Sequence, residues 1–439
     1  MVGRAGGEVL VTEQAVEADL IESKKKLADS KVTYHLGGHK ISDLKACDLL
    51  VISPAVDKHK SPFVQEAIRL GVPISSEMNL FLERCRGRIV GITGSVGKST
   101  TTAMVGAILE SASSRPEWNH GKVWIGGNIG KSLLDDLGSI SSQDIVVLEL
   151  SSFQLEDAAQ LRKSPSIALV TNVRENHLDR HGTLAAYAAA KANIHRFQSP
   201  DDWLILPFVG AEALPDVPTE NRNMMRFSAD EASHGAAIES RDANGVARRE
   251  VVPLKLSIPG LHNVQNAAGA LAIARVLGVD DGIATDALSR FTGLVHRLEF
   301  VREHRGVRYY NDSKATSPEA AMTSIRAFDQ PVTVLVGGSD KGGSFEQFGV
   351  SLQTGQGRYL HGATRDRITA AIRIASTGCG IGPTLLPADN FATAVSNARE
   401  LAKNGEVVLL SPGCASYDWF KNYEERGDQF RGIVNGWSA

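Results

Sequence analysis

The sequence predicts an α/β protein with three successive domains, in which helices cover mainly parallel β-sheets. Short runs rich in β-branched residues alternate with longer stretches rich in alanine and leucine, which is the pattern of βαβ units. Several runs stop at Gly, Ser, Thr, Asn or an acidic residue, and ligands of open α/β sheets bind beyond such strand ends. The runs are CDLLVISP, RIVGITG, DIVVLELSS, SIALVTNV, PVTVLVGG and EVVLLSP.

Composition excludes several classes of protein. The 439 residues carry 47 Lys and Arg against 50 Asp and Glu, a net charge of −3, so no basic surplus favours nucleic acid or anionic membranes. The four cysteines lie far apart, without the spacing of a zinc site or a disulfide framework. No apolar run approaches the roughly 18–20 residues of a membrane span, and the first residues do not resemble a signal peptide. We expect a cytoplasmic protein.

The chain divides into three blocks by composition. The first holds strand-like runs and a helix-like segment, SPFVQEAIRLGV. The second opens with a glycine-rich loop and includes a polar stretch, 216–250, for which we expect hairpins and surface loops without chemistry. The third opens with EFVREHRGVRYYNDS, which predicts a hairpin. The three predicted domains are residues 1–86, 87–297 and 298–439.

The segment GITGSVGKSTTTAMVGAILE follows the strand RIVGIT, and its second half predicts an amphipathic helix. Small residues let backbone N–H groups turn toward phosphates, Lys98 can reach the β- and γ-phosphates, and the Ser99 hydroxyl can bind Mg²⁺. The usual spacing would place glycine where Ile92 stands, so a glycine-rich turn with an incidental lysine is the alternative. The candidate ATP-binding residues here are Gly94, Ser95, Val96, Gly97, Lys98, Ser99 and Thr100.

Three further residues are candidates for the same site. Glu149 ends the strand DIVVLEL, where a second protein ligand of Mg²⁺ is expected beside a phosphate loop. His177 follows the next strand, in TNVRENHLDRHG, and the alternative is an ordinary surface or core histidine. Lys191 lies in the alanine-rich helix TLAAYAAAKANIHRF, and the alternative is a solvated helix lysine.

At this point the motifs resemble a family, the Mur ligases, which form amide bonds with ATP in peptidoglycan precursor synthesis. TGSVGKST, ELSSFQLE, ENHLDRHGT, AAAK, GLHNVQNAAGA and HRLEF follow in the family's order, with Val96 in place of the usual Asn. NDSKATSPEA, GGSDKGG and SPGCASYDWFKNYEERGDQF resemble the branch that adds D-glutamate to UDP-N-acetylmuramoyl-L-alanine. The resemblance implies an acyl-phosphate intermediate, ADP and phosphate as products, and a Rossmann-like fold for the first and third domains around a central phosphate-loop ATPase domain.

The resemblance also implies residue roles. Lys191 would take up CO₂ as a carbamate and become a ligand of a second Mg²⁺ ion, while Ser99 would bind the first. Glu149 and His177 would complete this two-metal site. The implied catalytic residues are Lys98, His177, Lys191 and Lys314, and the implied further ATP contacts are Asn266, Arg297 and Asp312, with His296 beside them.

Two substrate sites follow from the same resemblance. D-glutamate would face cationic and hydroxyl donors, with Tyr423 standing where the family often has Phe; the residues are Thr316, Lys341, Ser416 and Tyr423. Glu13 stands where the family usually has Asp, and the alternative for it is a surface glutamate. The implied UDP-sugar contacts are Glu13, Ser53, Asn128 and His177. The implied oligomeric state is a monomer.

One departure from the family concerns the first domain. Family members open with a strand and a turn like GxGxSG, and this chain has neither before its first strand-like run, EVLVTE. We therefore expect a first domain that lacks its opening strand, and a true start codon upstream of Met1. Two other functions stay open from the sequence. One is a phosphate-loop NTPase of another class, such as a motor, kinase or switch, and the other is a different Mur ligase or a folylpolyglutamate synthase-like enzyme.

Overall fold

The computed structural model describes residues 6–28, 30–54, 56–130, 132–218, 223–241, 246–340, 344–352, 357–376 and 384–438. The chain forms two compact units. The first unit comprises Met1–Ser228, Ile238–Glu250 and Gly269–Asp280, and the second comprises Ala229–Ala237, Val251–Ala268 and Asp281–Ala439. The three domain boundaries expected from the sequence stay predictions.

Strands and helices alternate through both units. The strands are β1 Val9–Glu13, β2 Val32–Leu36, β3 Leu50–Ile52, β4 Ile74–Ser76, β5 Arg88–Thr93, β6 Val123–Gly127, β7 Ile145–Glu149, β8 Ile167–Val170, β9 Trp203–Pro207, β10 Asn223–Asp230, β11 Gly235–Arg241, β12 Ala247–Val252, β13 Glu299–His304, β14 Val307–Asn311, β15 Val332–Gly337, β16 Gly357–His361, β17 Thr384–Pro387 and β18 Val407–Leu410. The helices are α1 Ile21–Lys26, α2 Pro62–Arg69, α3 Glu77–Arg84, α4 Lys98–Ser113, α5 Ser152–Ala158, α6 Leu178–His181, α7 Leu184–Ala192, α8 Leu261–Val276, α9 Asp281–Ser289, α10 Pro318–Ile325, α11 Glu346–Ser351, α12 Arg365–Ser376, α13 Phe391–Leu401 and α14 Tyr423–Asn435.

Two large sheets organise the described residues. An eight-stranded sheet has the order β12-β11-β10-β9-β8-β5-β7-β6, and a six-stranded sheet in the second unit has the order β13-β14-β18-β15-β16-β17. In the first, β5 pairs in parallel with both β7 and β8. In the second, β18 pairs in parallel with both β14 and β15. The predicted α/β class is confirmed, and so are the six strand-like runs, which correspond to β3, β5, β7, β8, β15 and β18.

The central strands are buried because helices cover both sheet faces. β7 and β8 are buried at every position and carry Ile, Val, Leu and Ala almost throughout, as expected of parallel strands inside an α/β sheet. The polar stretch 216–250 contributes to β10, β11 and β12, which are sequential neighbours in the sheet, as hairpins require. The hairpin predicted at the start of the third block is the antiparallel pair β13 and β14.

The prediction of an amphipathic helix after the glycine-rich loop is wrong. α4 is buried over most of its length rather than along one face. It packs against β5, β6 and β7, and small side chains in its first turns allow this close approach. Its hydrophobic pattern is therefore that of a core helix.

The first 86 residues form two small parallel sheets in the described part of the chain. β1, the run at EVLVTE, pairs with β2 from Val9 to Glu13, and β3 pairs with β4 from Leu50 to Ile52. α2 begins with a serine cap, since Ser61 accepts a hydrogen bond from the amide of Val64. Within the described ranges, no helix combines the length and apolar character needed to cross a membrane.

A buried histidine in the second unit makes stability depend on pH. His361 ends β16, is 1% exposed, and stacks on Trp419 with ring centroids 5.4 Å apart. Neither ring nitrogen has a hydrogen-bond partner among the described residues. Burial, with a smaller contribution from the Arg426 charge, lowers the pKa of His361 to about 3. As pH falls, the imidazole of His361 takes up a proton in the unfolded chain before it does so in the folded protein. The folded state therefore keeps its full stability above about pH 6.5 and loses stability as pH falls toward 3.

We expect His361→Phe to raise the melting temperature and to flatten its pH dependence. Phenylalanine keeps the stacking on Trp419 and removes two unpaired nitrogens, so the gain over wild type should be roughly 3 kcal/mol at pH 4 and smaller at pH 7. Thermal unfolding followed by circular dichroism between pH 4 and 8 measures both. Parallel melting-temperature curves for the two proteins would contradict the assignment of this pH dependence to His361.

Candidate functional site

A glycine-rich loop joins β5 to α4. Gly94 has φ of +149° and Gly97, which caps α4, has φ of +90°. A Cβ at Gly94 would overlap the hydroxyl oxygen of Thr171, so only glycine suits that position. The Nζ of Lys98 donates to the carbonyl oxygens of Gly94, at 2.9 Å, and Ser95, at 3.2 Å. The side chain of Lys98, at the start of the buried helix α4, is thus hydrogen-bonded to the predicted loop.

The end of the neighbouring strand β8 holds this loop in place. The amide of Ser95 donates to the carbonyl of Asn172 at 2.9 Å, and the amide of Val96 donates to the Asn172 side-chain oxygen at 3.1 Å. The Ser95 hydroxyl donates to the carbonyl of Arg174 at 2.9 Å, and the Tyr187 hydroxyl donates to Ser95 at 3.1 Å. The glycine-rich loop, the segment that follows β8 and α7 therefore form one hydrogen-bonded assembly.

Lys191 lies inside this assembly. Its side chain is 1% exposed, and its Nζ donates to the carbonyl of Gly94 at 2.9 Å and to the Thr93 hydroxyl at 3.4 Å. Burial, followed by repulsion from Lys98, lowers the pKa of Lys191 to about 6, although Glu149 opposes the shift. The alternative of a solvated helix lysine is wrong. At neutral pH most of this amine carries no charge and has a free electron pair.

Glu149 ends β7 beside the loop and is 1% exposed. Its Oε1 accepts a hydrogen bond from Asn128 Nδ2 at 2.9 Å, and its carbonyl accepts one from the Asn128 amide at 2.8 Å. Its Oε2 is buried and has no hydrogen-bond partner among the described residues. A buried carboxylate oxygen without a donor is a suitable ligand for a hard cation such as Mg²⁺.

The other residues of the predicted metal site are less closely grouped. Ser99 is buried in the first turn of α4. His177 is exposed, has φ of +52°, and lies with its ring centroid 5.2 Å from that of Phe153 and 6.5 Å from that of Tyr187. Across the described ranges, no three His, Cys, Asp or Glu residues cluster as a metal site. The hydroxyl of Ser99 and the free oxygen of Glu149 fit a divalent cation, and Lys191 could join them only after modification.

Gly127 sets the approach of Asn128 to Glu149. Its φ is +101°, and a Cβ there would overlap the carbonyl oxygen of Glu149. We expect Gly127→Ala to lower stability by about 2 kcal/mol, roughly 5 °C in melting temperature, and to lower activity. Gly71→Ala is the matched control, because Gly71 has φ of +73° and a Cβ added there would meet no atom within 4 Å. An equal loss of stability in the two variants, measured by thermal unfolding, would show that the overlap at Glu149 is harmless.

In the second unit, Asp312 follows β14 and is fully buried. It accepts hydrogen bonds from the amide of Leu298 at 3.1 Å and the Ser411 hydroxyl at 2.9 Å, while burial raises its pKa to about 6. His296 and Leu298 on either side of Arg297 have φ of +64° and +43°. This unusual backbone is fixed by its neighbours, since Asn311 Nδ2 donates to His296 Nδ1 at 3.0 Å.

Two of the predicted D-glutamate residues, Thr316 and Ser416, lie on the loops after β14 and β18, and Tyr423 is the first residue of α14. Lys314 places its Nζ 5.9 Å from the ring centroid of Tyr423, and its amide donates to the carbonyl of His296 at 3.0 Å. Thr316 follows on the same loop, and Ser416 is buried on the loop after β18. Lys341 lies outside the described residues.

The remaining predicted residues lie in α8, after β3 and at the end of β1. Asn266 lies in α8 and its Nδ2 donates to Asn263 Oδ1 at 3.4 Å. Ser53 follows β3. Glu13 is exposed, and its Oε1 accepts hydrogen bonds from its own loop, from the amides of Gln14 at 2.7 Å and Ala15 at 3.4 Å. This carboxylate therefore caps a turn after β1.

Sequence reasoning missed residues that join the first 86 residues to the loop region. Arg180 donates to the carbonyls of Pro54 and Val56, at 3.1 Å each, and its guanidinium lies 4.1 Å from the ring centroid of Phe153. A cleft here is lined by residues that include Ser53, Lys58, Phe153, Glu156, Arg180 and His181. The motif LDRHG was the available signal, but its arginine could not be assigned a partner without the fold.

The strand, glycine-rich loop, buried helix and adjacent strand-end carboxylate define a nucleotide-binding α/β enzyme of the phosphate-loop class. Comparison with known families narrows this class. Residues 92–274 match the Mur ligase middle domain, and residues 296–414 match the Mur ligase glutamate ligase domain. The chain belongs to the Mur ligase family, as the resemblance of its motifs indicates.

Relatives of similar length share one name, UDP-N-acetylmuramoylalanine--D-glutamate ligase. The one from Symbiobacterium thermophilum is 37% identical, covering 99% of this chain and 94% of the relative. The one from Pelotomaculum thermopropionicum is 37% identical, covering 93% of this chain and 88% of the relative. The crystal structure of UDP-N-acetylmuramate-alanine ligase MurC from Thermotoga maritima aligns with a TM-score of 0.56 at 19% identity, covering 98% of this chain and 94% of that one. This structural likeness shows the shared fold.

Proposed function

We propose that the protein is an ATP-dependent ligase that joins D-glutamate to UDP-N-acetylmuramoyl-L-alanine in peptidoglycan precursor synthesis. The observation that carries the proposal is the grouping of Lys98, Lys191 and Glu149 around one phosphate loop. The substrates rest on the relatives at 37% identity over nearly the whole chain, which are named for this reaction. A motor, kinase or switch is not favoured, because the similarity to ligases extends through both large sheets.

Amide formation at neutral pH needs an activated carboxylate. In the proposed reaction, an oxygen of the L-alanine carboxylate attacks the γ-phosphorus of ATP, and ADP leaves. The amine of D-glutamate then attacks the carbonyl carbon of the acyl phosphate, loses a proton, and inorganic phosphate leaves with that carboxylate oxygen. Negative charge builds up in both steps, and Lys98 and Lys314 supply fixed positive charge to oppose it.

The metal prediction belongs to this proposal. Ser99, Glu149, His177 and carbamylated Lys191 would hold two Mg²⁺ ions, which supply positive charge at the phosphate oxygens when bound. Carbamate formation requires an uncharged amine, whose nitrogen bonds to the carbon of CO₂ while a proton leaves. The buried, mostly neutral Lys191 supports this assignment, and the product would place an anion instead of an uncharged amine beside Lys98.

The substrate contacts are assigned by their motifs. ATP is assigned to Gly94, Ser95, Val96, Gly97, Lys98, Ser99, Thr100, Asn266, Arg297 and Asp312. The UDP-sugar is assigned to Glu13, Ser53, Asn128 and His177, and D-glutamate is assigned to Thr316, Lys341, Ser416 and Tyr423. A cytoplasmic monomer is part of the same proposal.

A phosphate-release assay tests the function. We expect release from ATP to require both D-glutamate and UDP-N-acetylmuramoyl-L-alanine, and to fall when D-glutamate is replaced by L-glutamate, D-alanine or a diamino acid. Turnover that is indifferent to both substrates would contradict the ligase. Turnover with another amino acid but not D-glutamate would instead identify a different Mur ligase.

A further inference from the structure

An arginine of α14 is buried beneath the loops assigned to D-glutamate. Arg426 is 0% exposed and is the largest fully buried side chain among the described residues. No carboxylate oxygen of those residues lies within ion-pair distance of it. Burying a cation without such a partner costs several kcal/mol, and apolar side chains of similar volume often replace buried charges without loss of stability. Packing alone therefore does not account for an arginine at this position.

The guanidinium binds oxygen atoms from two loops. Its Nε donates to the Ser313 hydroxyl at 3.0 Å, and one terminal nitrogen donates to the carbonyls of Ser313 at 2.9 Å and Cys414 at 3.1 Å. The other terminal nitrogen donates to the carbonyl of Ala415 at 3.3 Å. Ser313 lies on the loop after β14, and Cys414 and Ala415 lie on the loop after β18. A planar fork of donors can satisfy all four oxygens, whereas a lysine ammonium has three donors at one point.

Two further contacts extend this network. The Ser313 hydroxyl donates to the carbonyl of Tyr423 at 2.8 Å, which joins the start of α14 to the loop after β14. The amide of Ser339, on the loop after β15, donates to the carbonyl of Ala415 at 2.9 Å. Arg426 thus lies at the centre of a network that reaches three neighbouring strand ends. Burial lowers the pKa of Arg426 to about 10, so the side chain keeps its charge at neutral pH.

We propose that Arg426 is a positioning residue for the D-glutamate site, which holds Thr316, Ser416 and Tyr423 in one arrangement by binding Ser313, Cys414 and Ala415. Thr316 is three residues after Ser313, and Ser416 is the residue after Ala415. Tyr423 contributes its own carbonyl, which accepts the hydrogen bond from Ser313. The fixed positive charge also lies beneath a site for a dicarboxylate and favours its binding. The inference rests on the proposed function, because it assumes D-glutamate at these loops.

The test compares Arg426→Lys with Arg302→Lys. Arg302 donates to the carbonyls of Val434, Asn435 and Trp437 at 3.2–3.3 Å, so it makes the same kind of contact at the other end of α14. We expect Arg426→Lys to raise the KM for D-glutamate by about tenfold or more, with the KM values for ATP and the UDP-sugar within about twofold of wild type. Arg302→Lys should lower the melting temperature and leave the KM for D-glutamate unchanged.

Ser313→Ala keeps the inference testable if Arg426→Lys does not fold. It removes the hydroxyl that joins Arg426 to the Tyr423 carbonyl, and we expect a rise of about threefold or more in the KM for D-glutamate. A folded variant with a lower kcat and a wild-type KM for D-glutamate would overturn the inference and show a structural role. A wild-type enzyme without D-glutamate-dependent turnover would overturn the proposed function as well.

Discussion

Lys191→Ala is expected to lower kcat by about 10²–10³-fold, because it removes both the buried amine and the anion that CO₂ would form on it. The Lys191 side chain lies between the phosphate loop and Tyr187, where its Nζ donates to the carbonyl of Gly94 and lies 4.6 Å from the centroid of the Tyr187 ring. A small carboxylate such as acetate, added at millimolar concentration, should restore part of the rate. Steady-state phosphate release with both substrates saturating measures the loss and the rescue.

Lys163→Ala is the matched control, since Lys163 is an exposed lysine of the same unit. It should retain wild-type kcat, and acetate should not change its rate. Removal of CO₂ from the buffer should also slow the wild type and leave Lys191→Ala unaffected. Wild-type rates from Lys191→Ala would mean that the buried amine has no part in the reaction.

The second large effect is expected from Glu149→Gln. Glutamine keeps an oxygen that can accept the hydrogen bond from Asn128 and removes the negative charge beside the loop. Since the free Oε2 is the proposed ligand of Mg²⁺, we expect kcat to fall by about 10²–10³-fold and the Mg²⁺ concentration for half-maximal activity to rise. The melting temperature should change little, because a neutral amide is cheaper to bury than a carboxylate.

Glu110→Gln provides the comparison for that variant. Glu110 is an exposed residue of α4, the helix that begins at the phosphate loop. Its replacement should leave both kcat and the Mg²⁺ dependence unchanged. If Glu149→Gln shows a wild-type Mg²⁺ titration, the free oxygen of Glu149 is not a metal ligand.

The large sheets and the phosphate loop could be predicted because their signals are local. A parallel strand buried on both faces has an almost continuous run of apolar residues, many of them β-branched, and β5, β7, β8 and β18 all show this pattern. The loop could be recognised because phosphate binding requires a backbone conformation that favours glycine, together with a nearby lysine. Glu149 could be assigned to this edge because parallel strands end together.

The burial of several side chains depends on tertiary packing, which a local sequence pattern does not predict. The sequence around Lys191 suits a solvated helix as well as a buried one, and only the contacts with Tyr187 and Gly94 decide between them. The segment YEERGDQF looks like an exposed charged helix, yet Arg426 within it is fully buried. The prediction of an amphipathic α4 is wrong because the polar residues of its first turns, Ser99 and Thr100 to Thr102, are buried as well as its apolar residues.

The proposed reaction requires that a substrate carboxylate is activated by phosphorylation and then joined to D-glutamate. UDP-N-acetylmuramoyl-L-alanine labelled with ¹⁸O in its alanine carboxylate tests this requirement directly, with ³¹P NMR of the phosphate and mass spectrometry of the nucleotide product. We predict that one labelled oxygen appears in inorganic phosphate for each D-glutamate incorporated. Unlabelled phosphate together with a nucleotide product that has gained no glutamate would contradict it.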